Sequence, residues 1–83
     1  MTEKEIGEVS TYFSHVEVAA ITLSGSLKVG DRVRIKGHTT DFEQLIDSMQ
    51  INRKEVKEAK KGDEIGIKVN DRVRPGDKVL VIE

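Results

Sequence analysis

The chain has 83 residues with a formal net charge of −1, and 35% of its residues are charged while 36% are hydrophobic. This length suits one small domain and excludes a catalytic domain with a separate cofactor domain. The absence of Cys excludes disulfides and thiolate metal sites, and the small net charge argues against binding nucleic acid by bulk electrostatics.

No stretch is typical of a signal peptide or a membrane span, so a cytoplasmic protein without membrane contact is expected. The high charge content favours a heat-adapted, thermophile source, because ion pairs gain relative value as temperature rises.

The first fifth of the chain predicts two strands. Residues 1–5 are polar and predict a frayed terminus, which leaves residues 6–83 as a single β-barrel domain. Ile6–Tyr12 and Val16–Leu23 are rich in β-branched and aromatic residues, and Gly7 predicts a bulge or a close backbone approach. Tyr12 and Phe13 lie at a predicted strand end, where an aromatic ring could stack on an unpaired base. Phe13 is instead expected in the core, since a small domain has few aromatic side chains to spare from its packing.

Three Gly-Asp pairs each precede a strand pattern: Gly30-Asp31, Gly62-Asp63 and Gly76-Asp77. Gly adopts the positive φ that a tight turn needs, and Asp can bond backbone groups across the turn. The three copies therefore predict three turns that lead into strands at about residues 32–36, 64–69 and 78–82.

Two segments between these turns allow either helix or strand. Residues 41–51 have apolar side chains at helical spacing, yet Leu45, Met49 and Ile51 also share one side of a strand. Residues 52–61 are strongly charged and fit either a short helix that ends at Gly62 or a brief edge strand around Val56.

The order of these pieces resembles domain II of the translational GTPases, the small β-barrel that follows the nucleotide-binding domain in elongation factor Tu and initiation factors. The resemblance rests on Leu27–Ile35, Ser48–Gln50, Val56, Ala59 and Gly62–Ile67, and covers about residues 6–82. It implies an all-β fold, a closed antiparallel β-barrel of six to seven strands, in which the segment matching residues 44–51 is a strand. A similar small barrel is also appended to collagenase-like peptidases and other enzymes as an accessory domain, so the resemblance in fold does not by itself choose the ligand.

The chain has no phosphate-binding Gly-x-x-x-x-Gly-Lys-Ser/Thr loop, so no bound nucleotide and no cofactor are expected. The resemblance implies a stand-alone, elongation-factor-like protein without enzymatic activity that binds tRNA, ribosomal RNA or another translation component. The alternative is a protein-interaction or accessory subunit that docks on a larger enzyme.

The candidate RNA-binding residues are cations that alternate with apolar residues on one predicted strand, namely Arg32, Arg34 and Lys36, extended by Arg72 and Arg74 from a connector. Their spacing suits a track of phosphates. The same pattern also fits a solvated strand face that is paired with acidic residues on neighbouring strands.

The polar loop Gly37–Asp41 contains the one other candidate for chemistry. His38 and Asp41 could hold a metal or act as acid and base, but two ligands do not make a site, and a side-chain-capped turn explains the same residues. The sequence therefore predicts no metal site and no catalytic site.

Overall fold

The computed structural model describes residues 2–83, and these residues form an all-β structure without a helix. Ten strands alternate with turns and are numbered in chain order. They are β1 Glu3–Phe13, β2 Val18–Leu23, β3 Leu27–Lys28, β4 Arg32–Lys36, β5 Asp41–Leu45, β6 Met49–Ile51, β7 Lys54–Val56, β8 Glu58–Ala59, β9 Glu64–Lys68 and β10 Lys78–Ile82.

Eight of these strands form one antiparallel sheet in the order β5-β4-β10-β1-β2-β9-β6-β7, and β3 pairs with β8 in a separate ribbon. The predicted all-β antiparallel architecture is confirmed. The prediction of a closed barrel is wrong, because the edge strands β5 and β7 are not paired with each other in residues 2–83. Sequence patterns reveal strands but not whether the last ladder closes.

The Gln44 side chain of β5 bonds backbone groups at the end of β9. Its Nε2 donates to Lys68 O at 2.9 Å, and its Oε1 accepts from Asn70 N at 2.8 Å. Gln44 is 7% exposed, and the two bonds are partly buried. One amide side chain thus links β5 to the end of β9.

The three Gly-Asp turns form as predicted. Gly30, Gly62 and Gly76 have φ of 98°, 95° and 96°. In each turn the Asp side chain accepts a hydrogen bond from the backbone N–H three residues earlier, and the Asp N–H bonds the carbonyl of that same residue. This geometry is typical of a type II turn with an Asp cap.

Both ambiguous segments are extended. Residues 41–51 contain β5 and β6 with an interruption at residues 46–48, and Val56 ends β7. The strand interpretation is therefore confirmed over the helical one. Strand β1 begins at Glu3, inside the terminus predicted to fray, and Thr2 and Glu83 exchange two backbone hydrogen bonds; Met1 lies outside the described residues.

The core is formed by the inward residues of the strands. Val33 and Ile35 of β4 and Val79 of β10 have no exposed surface. At Gly7 the register of β1 against β10 shifts, and an added β-carbon would lie 2.8 Å from Ile21 Cγ2. The predicted bulge and close approach at Gly7 are thus both present.

Candidate functional site

The outer face of β4 carries the predicted cations. Arg32, Arg34 and Lys36 point away from the core, because Val33 and Ile35 between them point into it. Arg72 and Arg74 lie in the connector between β9 and β10. The alternation of outward cations and inward apolar residues on β4 is as predicted. What this face can bind depends on the charged residues that surround the cations.

Arg34 is held by two acidic residues from neighbouring segments. Its Nε and Nη2 donate to the two carboxylate oxygens of Asp41 at 2.7 and 2.9 Å, and its Nη1 donates to Glu3 Oε2 at 2.9 Å. These bonds raise the pKa of Arg34 above its already high value, with the hydrogen bond to Asp41 as the largest cause. Conversely, the hydrogen bond from Arg34 lowers the pKa of Asp41. Arg34 on β4 therefore links β5 to β1 through its ion pairs with Asp41 and Glu3.

The rest of the face also mixes the two signs of charge. Lys78 of β10 lies beside Lys36, and its Nζ contacts Glu8 Oε1 at 2.7 Å, which raises the pKa of Lys78. Glu43 is the pairing partner of Arg34 on β5. Acidic residues on both sides of β4 therefore interrupt the cations, and the face does not present a continuous positive track.

Arg72 and Arg74 line a hollow of about 310 Å³ beside the start of β5, together with Thr39, Asp41 and Phe42. Within residues 2–83, neither guanidinium lies in a salt bridge. Asp41 lines this hollow, binds Arg34 and pairs with Lys36 on β4. Arg32 lies at the other end of β4, opposite Leu45 and Ile82.

The loop Gly37–Asp41 is a turn in which Gly37 N donates to Thr40 O at 2.7 Å. Asp41 is committed to Arg34, so it is not available as a partner for His38. No group of three or more His, Asp or Glu side chains that could hold a metal occurs in residues 2–83.

A cleft of about 830 Å³ lies between the β3–β8 ribbon and the end of β10. Two of its acidic residues, Asp31 and Asp63, cap their own turns by accepting from Lys28 N and Lys60 N. Lys28, Lys60 and Glu58 add charges of both signs. The cleft therefore offers mixed polar groups and no chemistry specific to one ligand.

The prediction missed the exposed apolar tip of the β1–β2 hairpin. Phe13 and Val16 are 44% and 49% exposed, whereas Tyr12 and Phe42 are half-buried against the core. The expectation that Phe13 lies in the core is therefore wrong. The sequence does indicate a weakly charged surface here, because Glu17 is the only Lys, Arg, Asp or Glu between Val9 and Leu27.

In the described part of the chain, no helix has the length and apolar character needed to cross a membrane.

Comparison with known proteins identifies relatives among proteases. No protein-family model matches the chain. The chain is 46% identical over 80 residues to an uncharacterized protease of Methanocaldococcus jannaschii, a match that covers 95% of this chain and 20% of that protein. It is 37% identical over 76 residues to a collagenase of Porphyromonas gingivalis, covering 89% of this chain and 21% of that protein. The chain thus spans about a fifth of the length of the curated relatives it matches.

Among solved structures, the chain matches the C-terminal domain of a Geobacillus thermoleovorans protein described as a U32 peptidase. The TM-score is 0.90 at 19% sequence identity, and the match covers 96% of this chain and 93% of that chain. At this identity the likeness establishes the fold.

These relatives correct the functional prediction. The matching proteins are named proteases, so the assignment to translation-factor domain II is wrong. The predicted RNA-binding, elongation-factor-like role in translation is wrong for the same reason. So are the predicted partners, namely tRNA, ribosomal RNA or a translation factor. The prediction that the chain has no enzymatic activity gains no support, because these relatives are named as proteases. Gly-Asp turns followed by alternating strands mark a backbone geometry, and a backbone geometry does not specify a ligand. The chain has the fold of a U32 peptidase C-terminal domain, and its sequence relatives are proteases.

Proposed function

We propose that the chain is an accessory β-domain of a U32-type protease, which packs against a larger protease polypeptide that supplies the catalytic groups. The observation that carries this proposal is the 46% identity along 95% of the chain to only 20% of a protease. A relative of that length has room for a catalytic part several times larger than this domain.

The state of the acidic side chains supports a structural role. Asp31, Asp63 and Asp77 each bond backbone N–H groups of their own turns. Asp41 and Glu3 are bound to Arg34. A general base for peptide hydrolysis must reach the proton it abstracts, and these carboxylates are already engaged in holding the fold.

A binding experiment tests the proposal. The probe is the Methanocaldococcus jannaschii protease from which the 80 matching residues have been removed, after circular dichroism and size-exclusion chromatography have established that it remains folded. Isothermal titration of this protein with the 83-residue chain is expected to give saturable binding. The U32 peptidase domain of the same fold was crystallised as a separate chain, so testing the domain alone is reasonable.

The intact protease is the matched control, because its own domain should already occupy the docking position. Binding to the truncated protease and none to the intact one is the expected result. Equal binding to both, or binding to neither, would overturn the proposal.

A further inference from the structure

The charge distribution along the chain leaves one neutral surface. The chain carries 14 Lys and Arg and 15 Asp and Glu residues, yet Val9–Leu27 contains only Glu17. This stretch includes the second half of β1 and all of β2. Depletion of charge at the centre of a patch is characteristic of protein interfaces.

The sheet register collects the outward residues of this stretch into one patch. Phe13 is the pairing partner of Val18, and Ala20 lies between Thr11 on β1 and Gly66 on β9. Inward residues alternate with them, as shown by Ala19, which has no exposed surface. We call this patch the hairpin surface, and its members are Phe13, Val16, Val18, Ala20 and Gly66.

Charged residues border the hairpin surface, and within it Glu17, between Val16 and Val18, is the one charged residue. Lys68 on β9 pairs with Val18 on β2, and further along these two strands Glu64 on β9 pairs with Thr22 on β2. Beyond Thr22 on β1 lies Glu8, which contacts Lys78. A neutral centre with a charged rim is the usual arrangement of a protein–protein interface.

Gly66 lies in the middle of β9, where glycine weakens a strand. Nothing in the domain itself requires glycine there: its φ lies outside the left-handed region, and an added β-carbon would meet only Val18 Cγ1 at an ordinary 3.5 Å. By contrast, Gly7 and Gly37 are each crowded by their neighbours. A glycine that leaves space on the outer face suits the close approach of another polypeptide.

The hairpin tip is fixed in place. Val16 N donates to Phe13 O at 3.3 Å, and Val69 N donates to Glu17 O at 2.9 Å. Glu17 adopts φ 57°, a conformation that non-glycine residues rarely take and that surrounding bonds must maintain. Phe13 and Val16 are therefore presented in a defined position before any partner binds.

From these observations we infer that the hairpin surface is the face by which this domain docks on the larger protease polypeptide, with Phe13 inserted into an apolar pocket and the partner's backbone close to Gly66. The inference rests on the proposed function and specifies its contact surface. The partner surface is uncharged where it meets Ala20 and Gly66, since a desolvated charge would find no counter-charge there. An exposed aromatic side chain on a neutral patch is a typical anchor.

The same titration with the truncated Methanocaldococcus protease tests the inference through variants of the 83-residue chain. Phe13→Lys and Gly66→Lys are each expected to weaken binding at least about 10-fold, since both place a charge in the interface. Phe13→Ser and Gly66→Ser provide smaller changes in case either lysine variant fails to fold. Leu45→Lys is the matched control, because Leu45 is 51% exposed but lies on β5, outside the hairpin surface.

Wild-type affinity in Leu45→Lys and lost affinity in the Phe13 and Gly66 variants would support the inference. Wild-type affinity in folded Phe13 and Gly66 variants would overturn it while leaving the proposed function intact. Failure of the wild-type chain to bind would instead overturn the proposed function. Light scattering of the free chain supplies a further outcome: a wild-type dimer that Phe13→Lys converts to a monomer would identify a second copy as the occupant and overturn the inference.

Discussion

Replacing Gln44 with leucine tests whether a single side chain holds β5 to β9. The two residues have similar volume, so Gln44→Leu removes the hydrogen bonds without opening a large cavity. It leaves Lys68 O and Asn70 N without their partners at a position that is 7% exposed in the wild type. Leaving one fully buried polar group unsatisfied costs about 1 to 3 kcal/mol, and because these two groups are partly buried, the expected total loss is about 1 to 3 kcal/mol.

This loss is large enough to measure without abolishing the fold. Small domains have unfolding free energies of about 5 to 15 kcal/mol, and 1 kcal/mol shifts the melting temperature by about 4 to 8 °C in a domain of this size. Urea unfolding followed by circular dichroism measures the free energy of unfolding. Hydrogen exchange of the Asn70 amide reports on the bond itself and is expected to become faster in the variant.

Gln50→Leu is the control, because Gln50 is exposed on β6 and makes no side-chain hydrogen bond in residues 2–83. It should change the free energy of unfolding by no more than about 0.5 kcal/mol. A Gln44→Leu protein that is as stable as this control, with an Asn70 amide as protected as in the wild type, would refute the assigned role of Gln44.

Four further variants test a turn, an uncrowded strand glycine, a close contact and the surface ion pairs. Gly30→Ala should lower the free energy of unfolding, measured by thermal unfolding, by about 1 to 2 kcal/mol, because a φ of 98° disfavours a β-carbon even where nothing lies within 4 Å. Gly66→Ala should be neutral or stabilising, because Gly66 does not have a positive φ. Gly37→Ala should cost up to about 3 kcal/mol, because the new carbon would overlap the buried Asp77 carboxylate, and a cost below that of Gly30→Ala would contradict this contact. Arg34→Met should make the stability of the protein less sensitive to acid. Arg34 lowers the pKa of Asp41, so ionised Asp41 stabilises the wild type above the ordinary carboxyl range, and this stabilisation is lost as the pH falls through the lowered pKa. The variant lacks this contribution at every pH. Acid titration of both proteins at low and high salt measures this, and identical curves at low salt would contradict it.

Local chemistry made the turns and most strands predictable. Gly and Asp at adjacent positions have few alternatives to a capped turn, and all three copies adopt it. Propensity alone favoured a helix at residues 41–51, but strand neighbours on the sheet supply the packing that decides between the two. The short strands β3 and β8 pair over only two residues each, which is too little pattern for a sequence to reveal.

Long-range placement was the part that the sequence could not supply. The outward positions of Arg32, Arg34 and Lys36 followed from alternation, but the carboxylates of Glu3 and Asp41 beside Arg34 come from strands that are distant in the chain or across a turn. Phe13 was assigned to the core by composition, since aromatic residues are few, and its exposure depends on where the hairpin ends. Which ligand such a scaffold binds is set by these placements, and the turn motif carries no information about them.

The hydrogen bonds between Thr2 and Glu83 have a consequence for attachment to a longer polypeptide. Both ends of the described chain meet at one end of β1, while Phe13 lies at the other end of that 11-residue strand. At about 3.3 Å per residue, the tether point and the hairpin tip are roughly 30 Å apart. A polypeptide joined at either terminus would therefore be attached at the end of the domain opposite to the proposed docking surface.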